Sequence, residues 1–212
     1  MDRKWILVVL FLVTLPSSHT FGEDGEDGEG SPASRETVTA ALEDLRAKYG
    51  TSATAFQGYL LNFAIQGGSV LDTKVAIAGI EPRRDLRYLA FTLDSGIVYD
   101  ETKSQQHQLA RIWTDIVEPS ARKAAEMSFP ADGIALRITY RRGHYNDRAD
   151  LQRQLRAQRV AAVEVACFIA GRDAADLFAA RITPRDFAAR TEVQVDGRPA
   201  EVDLNALSDA HD

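Results

Sequence analysis

Ile134, Leu136, Ile138 and Tyr140 alternate without a break with Ala135, Arg137, Thr139 and Arg141. Successive side chains of a strand point to opposite faces, so this segment has one buried face and one that meets water. Such a strand needs a sheet covered on one side, which rules out an all-helical bundle. Farther along, 160–170 is almost continuously apolar, the pattern of a strand buried on both faces in mid-sheet.

Helical signals surround these strands. Leu109, Ile112, Trp113, Ile116 and Val117 follow the i, i+3, i+4, i+7, i+8 spacing of a stripe packed on a core, and Pro119 is expected to end or kink that helix. Val38, Ala41, Leu42 and Leu45 predict a helix from Ser31 or Ser34 to Tyr49, stopped by Gly50. A polar helix over 147–159 rests on Leu151 and Leu155, and another is expected over 173–181. Thr183, Pro184 and Asp186 supply an N-cap, a first-position proline and a first-turn acid for one more.

Tyr59, Leu61, Phe63 and Ile65 fall at period two and predict a strand over 54–65, joined by a turn at 66–69 to a second strand over 70–80. The 81–84 segment, with Pro82, reads as a break. A strand over 87–93 follows, with a short continuation at 97–99 after Asp94, Ser95 and Gly96. Near the end, 191–195 and 198–204 flank Asp196-Gly197, a hairpin signal, and Pro199 places the last strand at an edge. This order predicts an α+β fold: a mixed, largely antiparallel sheet with helices packed mainly on one face. A three-layer α/β arrangement is the second choice. A length of 212 residues fits a single domain, expected over 34–205 with an acidic tail over 206–212.

The first residues read differently. Arg3 and Lys4 precede an apolar run over 5–15 broken only by Thr14, and small polar residues follow, the layout of a secretory signal peptide over 1–22. The run is shorter than the roughly 20 residues a spanning helix needs, so no permanent membrane span is expected after cleavage. Residues 23–33 alternate acids with glycine and read as a flexible linker. The expected location is secreted or periplasmic. The formal net charge is −6. Glu23, Asp24, Glu26, Asp27 and Glu29 lie in the linker and the leader carries a small positive excess, which leaves the folded part about −2. No nucleic-acid partner is expected, because Tyr140 also falls on the strand face opposite Arg141 and offers no stacking beside it.

Catalytic signatures are scarce. No G-x-S-x-G occurs, and Ser69 reads as a turn residue. The single cysteine excludes an internal disulfide. Cys167 lies in the most apolar segment, where burial disfavours the thiolate that a nucleophilic pairing with His144 requires. No phosphate-binding glycine motif is present, and neither a cofactor nor a metal is expected. The one local polar cluster is His144, Asp147 and Asp150. These side chains suit a general base or part of a metal site, and equally a helix cap with a solvated loop histidine.

Between 133 and 160, seven arginines (Arg137, Arg141, Arg142, Arg148, Arg153, Arg156 and Arg159) stand against Asp147 and Asp150, an excess of +5. Guanidinium groups bind carboxylates and phosphates in two-pronged fashion. The expected function is a non-catalytic binding or interaction module for a protein or an anionic cell-envelope partner, using this arginine surface. The alternative is a hydrolase or metal-dependent enzyme using His144, Asp147 and Asp150.

Overall fold

A computed structural model describes residues 32–66, 71–157 and 160–211. The expected leader, most of the linker, residues 67–69 of the expected turn with Ser69, and Arg159 lie outside the described residues. The fold is α+β. Helices α1 (Pro32–Tyr49) and α2 (Thr51–Gln66) precede strands β1 (Lys74–Arg83) and β2 (Leu86–Tyr99). Then come α3 (Gln105–Ile112), a π-turn (Trp113–Val117), α4 (Glu118–Ala125) and β3 (Gly133–Arg142). Helix α5 (Arg148–Arg156), β4 (Ala161–Ala170), α6 (Gly171–Phe178) and α7 (Pro184–Arg190) follow. The described chain ends in β5 (Glu192–Val195), β6 (Arg198–Ala200) and a 3-10 helix (Leu204–His211). Among the described residues no helix is long and apolar enough to cross a membrane.

The strands form one sheet in the order β1-β2-β3-β4-β5-β6. Every neighbouring pair is antiparallel except β2 and β3, which the α3–α4 crossover makes parallel. The predicted alternation in β3 holds: Ile134, Leu136, Ile138 and Tyr140 are buried in the main core, whereas Arg137, Thr139 and Arg141 are half-buried on the other face. Leu89, Phe91 and Leu93 of β2 and Val163, Val165, Cys167 and Ile169 of β4 share the core face, where α2, α3, α4, α6 and α7 bring Phe56, Leu109, Trp113, Ala121, Leu177 and Phe187 against them. Each such large apolar side chain contributes roughly 1.5–3 kcal/mol.

The opposite face carries a small apolar patch of Tyr88, Ala90, Ala135, Ala166 and Phe168, roofed by charged side chains. The Arg83 guanidinium lies 4.1 Å from the centre of the Phe168 ring and pairs with Glu192. That hydrogen bond holds the Glu192 carboxyl below its ordinary value. Arg137 forks onto Glu81 at 2.8 and 3.0 Å and reaches Glu164 at 3.1 Å. The Arg83 head itself lies on the aromatic face, a cation–π contact, and its charge is met by Glu192. Both sheet edges are blunted as well. β1 carries Pro82 and a bulge at Gly79, and its Val75 carbonyl accepts from Gln57 Nε2 at 3.0 Å; β6 is three residues long and contains Pro199.

Four local expectations are corrected. Residues 54–65 form helix α2, not a strand: Ala53, Phe56, Leu60 and Ala64 recur at helical spacing and are the buried set, while Ile65 of the period-two series is 55% exposed. The segment is apolar nearly all round, so both periods were present and tertiary burial selected one. Of the two outcomes expected at Pro119, an end to the helix does not occur; a π-turn interrupts the helix just before it and α4 carries on. The Glu118 N–H bonds to Trp113 O across the π-turn, and Pro119 then occupies the first turn of α4, where no N–H is needed. The 81–84 break is the end of β1, because on an edge strand Pro82 leaves no ladder bond unmade; the turn comes at Arg84, whose φ is 52°. Residues 206–211 are no free tail. They belong to the 3-10 helix, which packs on α3 with His107 Nδ1 3.0 Å from Ala206 O.

Two turns agree closely with their sequence signals. Asp196 and Gly197 have φ of 49° and 76°, the left-handed pair of a two-residue hairpin. Thr183 and Asp186 form a reciprocal capping box on α7. The end of α6 lacks its usual residue. Arg181 N bonds to Asp176 O at 2.8 Å and Ala180 N to Leu177 O at 3.1 Å, a Schellman closure that forces Ala180 to φ 55°. Ala180→Gly is therefore expected to raise stability by about 1 kcal/mol, read as a higher urea midpoint at unchanged m-value.

Candidate functional site

The polar cluster of the 143–150 loop caps a helix. Asp147 is the N-cap of α5, its Oδ1 accepting from Asp150 N at 2.7 Å. Asp150 Oδ2 accepts from Asn146 N at 3.2 Å and from Gln154 Nε2 at 3.1 Å, and the Asn146 N–H is the main reason its carboxyl sits below the usual range. His144 is exposed, and its carbonyl accepts from Gln154 Nε2 at 2.5 Å. Among the described residues no group of three His, Cys, Asp or Glu is placed to share a metal ion. The geometry gives the Asp147 and Asp150 side chains structural partners and lends the hydrolase alternative no support. Asp147→Ala is expected to cost about 1 kcal/mol in chemical denaturation, and His144→Ala less than about 0.5 kcal/mol. Cys167 is fully buried in β4, and burial pushes its thiol up to about 12, which removes it as a nucleophile at neutral pH.

The arginines expected to form one surface are dispersed, because β3 alternates and α5 turns. Arg137 and Arg141 are on the open sheet face, and both are engaged by carboxylates. Arg142 points to the other side and reaches only the Glu101 carbonyl, at 3.4 Å. Arg153 and Arg156 are exposed on α5, Arg153 contacting Asp150 at 3.3 Å. Arg148 begins α5. Of the described arginines, Arg141 and Arg142 thus point to opposite sides of the sheet, and Arg137 and Arg141 are already paired with carboxylates.

Arg141 leads instead to a cleft of about 300 Å³ lined by Leu71, Asp72, Lys74, Asp94, Arg141, Gln152 and Leu155. Its floor is an irregularity in β2: the register with β3 shifts between Asp94 and Val98. Ser95 turns its hydroxyl into the backbone there, donating to Thr139 O at 3.0 Å, and Gly96 takes φ 64°. Gly96 O accepts from Leu71 N at 3.1 Å, which ties the approach to β1 onto the bulge. Bulges bend a strand and re-aim its side chains. Here Asp94 meets Arg141 in a two-pronged pair at 2.7 and 2.9 Å, with side chains 29% and 22% exposed. Lys74 is the direct cross-strand partner of Asp94 in β1, so Asp94 has a cation on each side. Lys74 and Asp72 are both exposed and enter no ion pair among the described residues. Gln152 and Leu155 of α5 complete the wall.

A second cleft, of about 500 Å³, is lined by Arg172, Asp173, Asp176 and Arg190 of α6 and α7. Asp173 lies 3.6 Å from Arg190 and 3.8 Å from Arg172, and Asp176 holds Arg181 at 2.6 Å. The Arg190 contact joins the two helices by opposite charges. Sequence reasoning missed Lys74, Asp94 and Gln152. The available signal was Asp94-Ser95-Gly96 between the 87–93 strand and its continuation at 97–99, which is a bulge within one strand. Comparison with protein-family models, with curated proteins and with solved structures gives no match to this chain.

Proposed function

We propose that this chain is an exported, non-catalytic binding module that holds a segment of a partner protein in the cleft between the start of β1, the β2 bulge and α5. The observation that carries this reading is the juxtaposition of unpaired Lys74 and Asp72 with the Arg141–Asp94 pair between the apolar walls of Leu71 and Leu155. A few convergent polar groups set among apolar ones are what a small binding site requires. Lys74, Asp94 and Arg141 are carried by three neighbouring strands and Gln152 by a capped helix, which limits the ordering cost of binding. The anionic cell-envelope partner is the weaker form of the proposal. Arg137 and Arg141 are occupied by carboxylates, which leaves chiefly Arg153 and Arg156 on α5 for it. Export rests on the apolar 5–15 run followed by small residues.

The test is a titration of the isotopically labelled mature protein with a pool of short random-sequence peptides, read by amide chemical shifts. Shifts concentrated at 71–74, 94–96, 141 and 152–155 are expected. Shifts confined to 153–156 that vanish with modest salt would favour the polyanion form, and no response at the cleft would remove the proposal.

A further inference from the structure

Resting on the reading of the cleft as a peptide site, we infer that it selects a single carboxylate set beside an aliphatic residue. A guanidinium has five N–H donors in a fixed fork, and Arg141 gives two of them to Asp94. The rest stay available on a side chain that is 22% exposed. Lys74 stands on the other flank of Asp94, by strand register, and enters no ion pair among the described residues. A carboxylate entering the cleft is shared between the Lys74 ammonium and the outer N–H groups of Arg141, in the charge-assisted geometry that favours planar anions. Leu71 and Leu155 take the neighbouring aliphatic side chain, and Gln152 offers an amide to the peptide backbone. Asp72 and Asp94 oppose a second negative charge in the same space, which separates a monoanion from phosphate or a polyanion.

Two predictions distinguish this site from a structural ion pair. Lys74→Met removes an exposed cation and is expected to weaken carboxylate binding about three- to five-fold, the size of one partly exposed charge pair. Asp94→Asn removes the resident competitor and is expected to strengthen the same binding by a similar factor, the opposite of what loss of structure would do. The experiment titrates labelled protein with acetyl-Leu-Glu-amide, acetyl-Leu-Gln-amide, acetyl-Ala-Leu with a free C-terminus, and phosphate, read at the cleft amides. A stronger response to the Glu peptide than to the Gln peptide, with the two mutational shifts, supports the inference. A response to the free C-terminus as well identifies a chain end as a second source of the carboxylate, and its absence restricts the site to side chains. Equal responses to the Glu and Gln peptides overturn carboxylate selection while the cleft remains a peptide site. Silence to all peptides overturns both. Phosphate binding as tight as the Glu peptide overturns the monoanion preference, and should Asp94→Asn fail to fold, an unchanged affinity in Lys74→Met alone overturns the inference.

Discussion

Gly133→Ala is expected to cost about 3 kcal/mol or more and to leave little folded protein at physiological temperature. Gly133 opens β3 between two neighbours, with Tyr88 of β2 on one side and Ala170 of β4 on the other. A Cβ built at this position falls 2.2 Å from Ile169 O and 3.0 Å from Ala170 Cα, both backbone atoms of a central strand. A flexible side chain could swing aside; the carbonyl of a laddered residue cannot move without opening the β3–β4 pairing. Overpacking in a dense core costs roughly 1–3 kcal/mol where side chains can adjust, so a backbone collision belongs at or above the top of that range. Gly143→Ala is the matched control. Its Cβ would meet only the Val160 side chain, at 3.4 Å, an ordinary contact. Urea denaturation of both variants checks the contrast, and equal midpoints would refute the account of Gly133.

The second large effect is at Gln108, a wholly buried amide in α3. Its Nε2 donates to Asp100 O at 2.9 Å and to Lys103 O at 3.1 Å, while its Oε1 accepts from Tyr140 OH at 3.3 Å. One side chain thus joins the loop after β2 to the core face of β3. Gln108→Ala takes the amide away from Lys103 O and the Tyr140 hydroxyl, while Asp100 O keeps the Lys103 N–H at 3.2 Å; Tyr140, 1% exposed, has no route to water. An unsatisfied buried group costs about 1–3 kcal/mol. The loop carbonyls recover part of that by hydration, so a total loss of about 3 kcal/mol is expected. Tyr140→Phe deletes only the hydroxyl contact and should cost about 1 kcal/mol. The double variant should lose less than the sum of the two, because the shared bond is counted in both single changes. Additive losses would show that the hydroxyl and the amide do not interact. Amide exchange over 100–104 provides a separate reading, with faster exchange expected in Gln108→Ala than in Tyr140→Phe.

Much of the architecture could be read locally. The alternation of β3, the apolar run of β4, the capping box at Thr183 and the Asp196-Gly197 turn each depend on neighbours within a few residues, so their signals survive in one dimension. The α2 segment failed for the opposite reason. With Tyr59, Leu61, Phe63 and Ile65 at period two and Phe56 and Leu60 at helical spacing, local pattern supports either structure, and packing of Phe56 against Phe91 and Phe129 decides for the helix. The arginine-rich segment misled because a count of charges along the chain ignores which face each one occupies. Arg141 and Arg142 are neighbours in sequence and point to opposite sides of the sheet.

Periodicity and turn chemistry by themselves determined an α+β chain with a one-sided sheet, its capped helices and its closing hairpin, because such features arise from short-range sterics and hydrogen bonding. Only the tertiary structure decided that β2 and β3 run parallel, that Arg137 and Arg141 are neutralised within the domain, and that Lys74, Asp94, Arg141 and Gln152 meet. Those residues are 11 to 78 positions apart, and their meeting depends on strand register and on a bulge, both set by the burial of the whole sheet rather than by any local pattern.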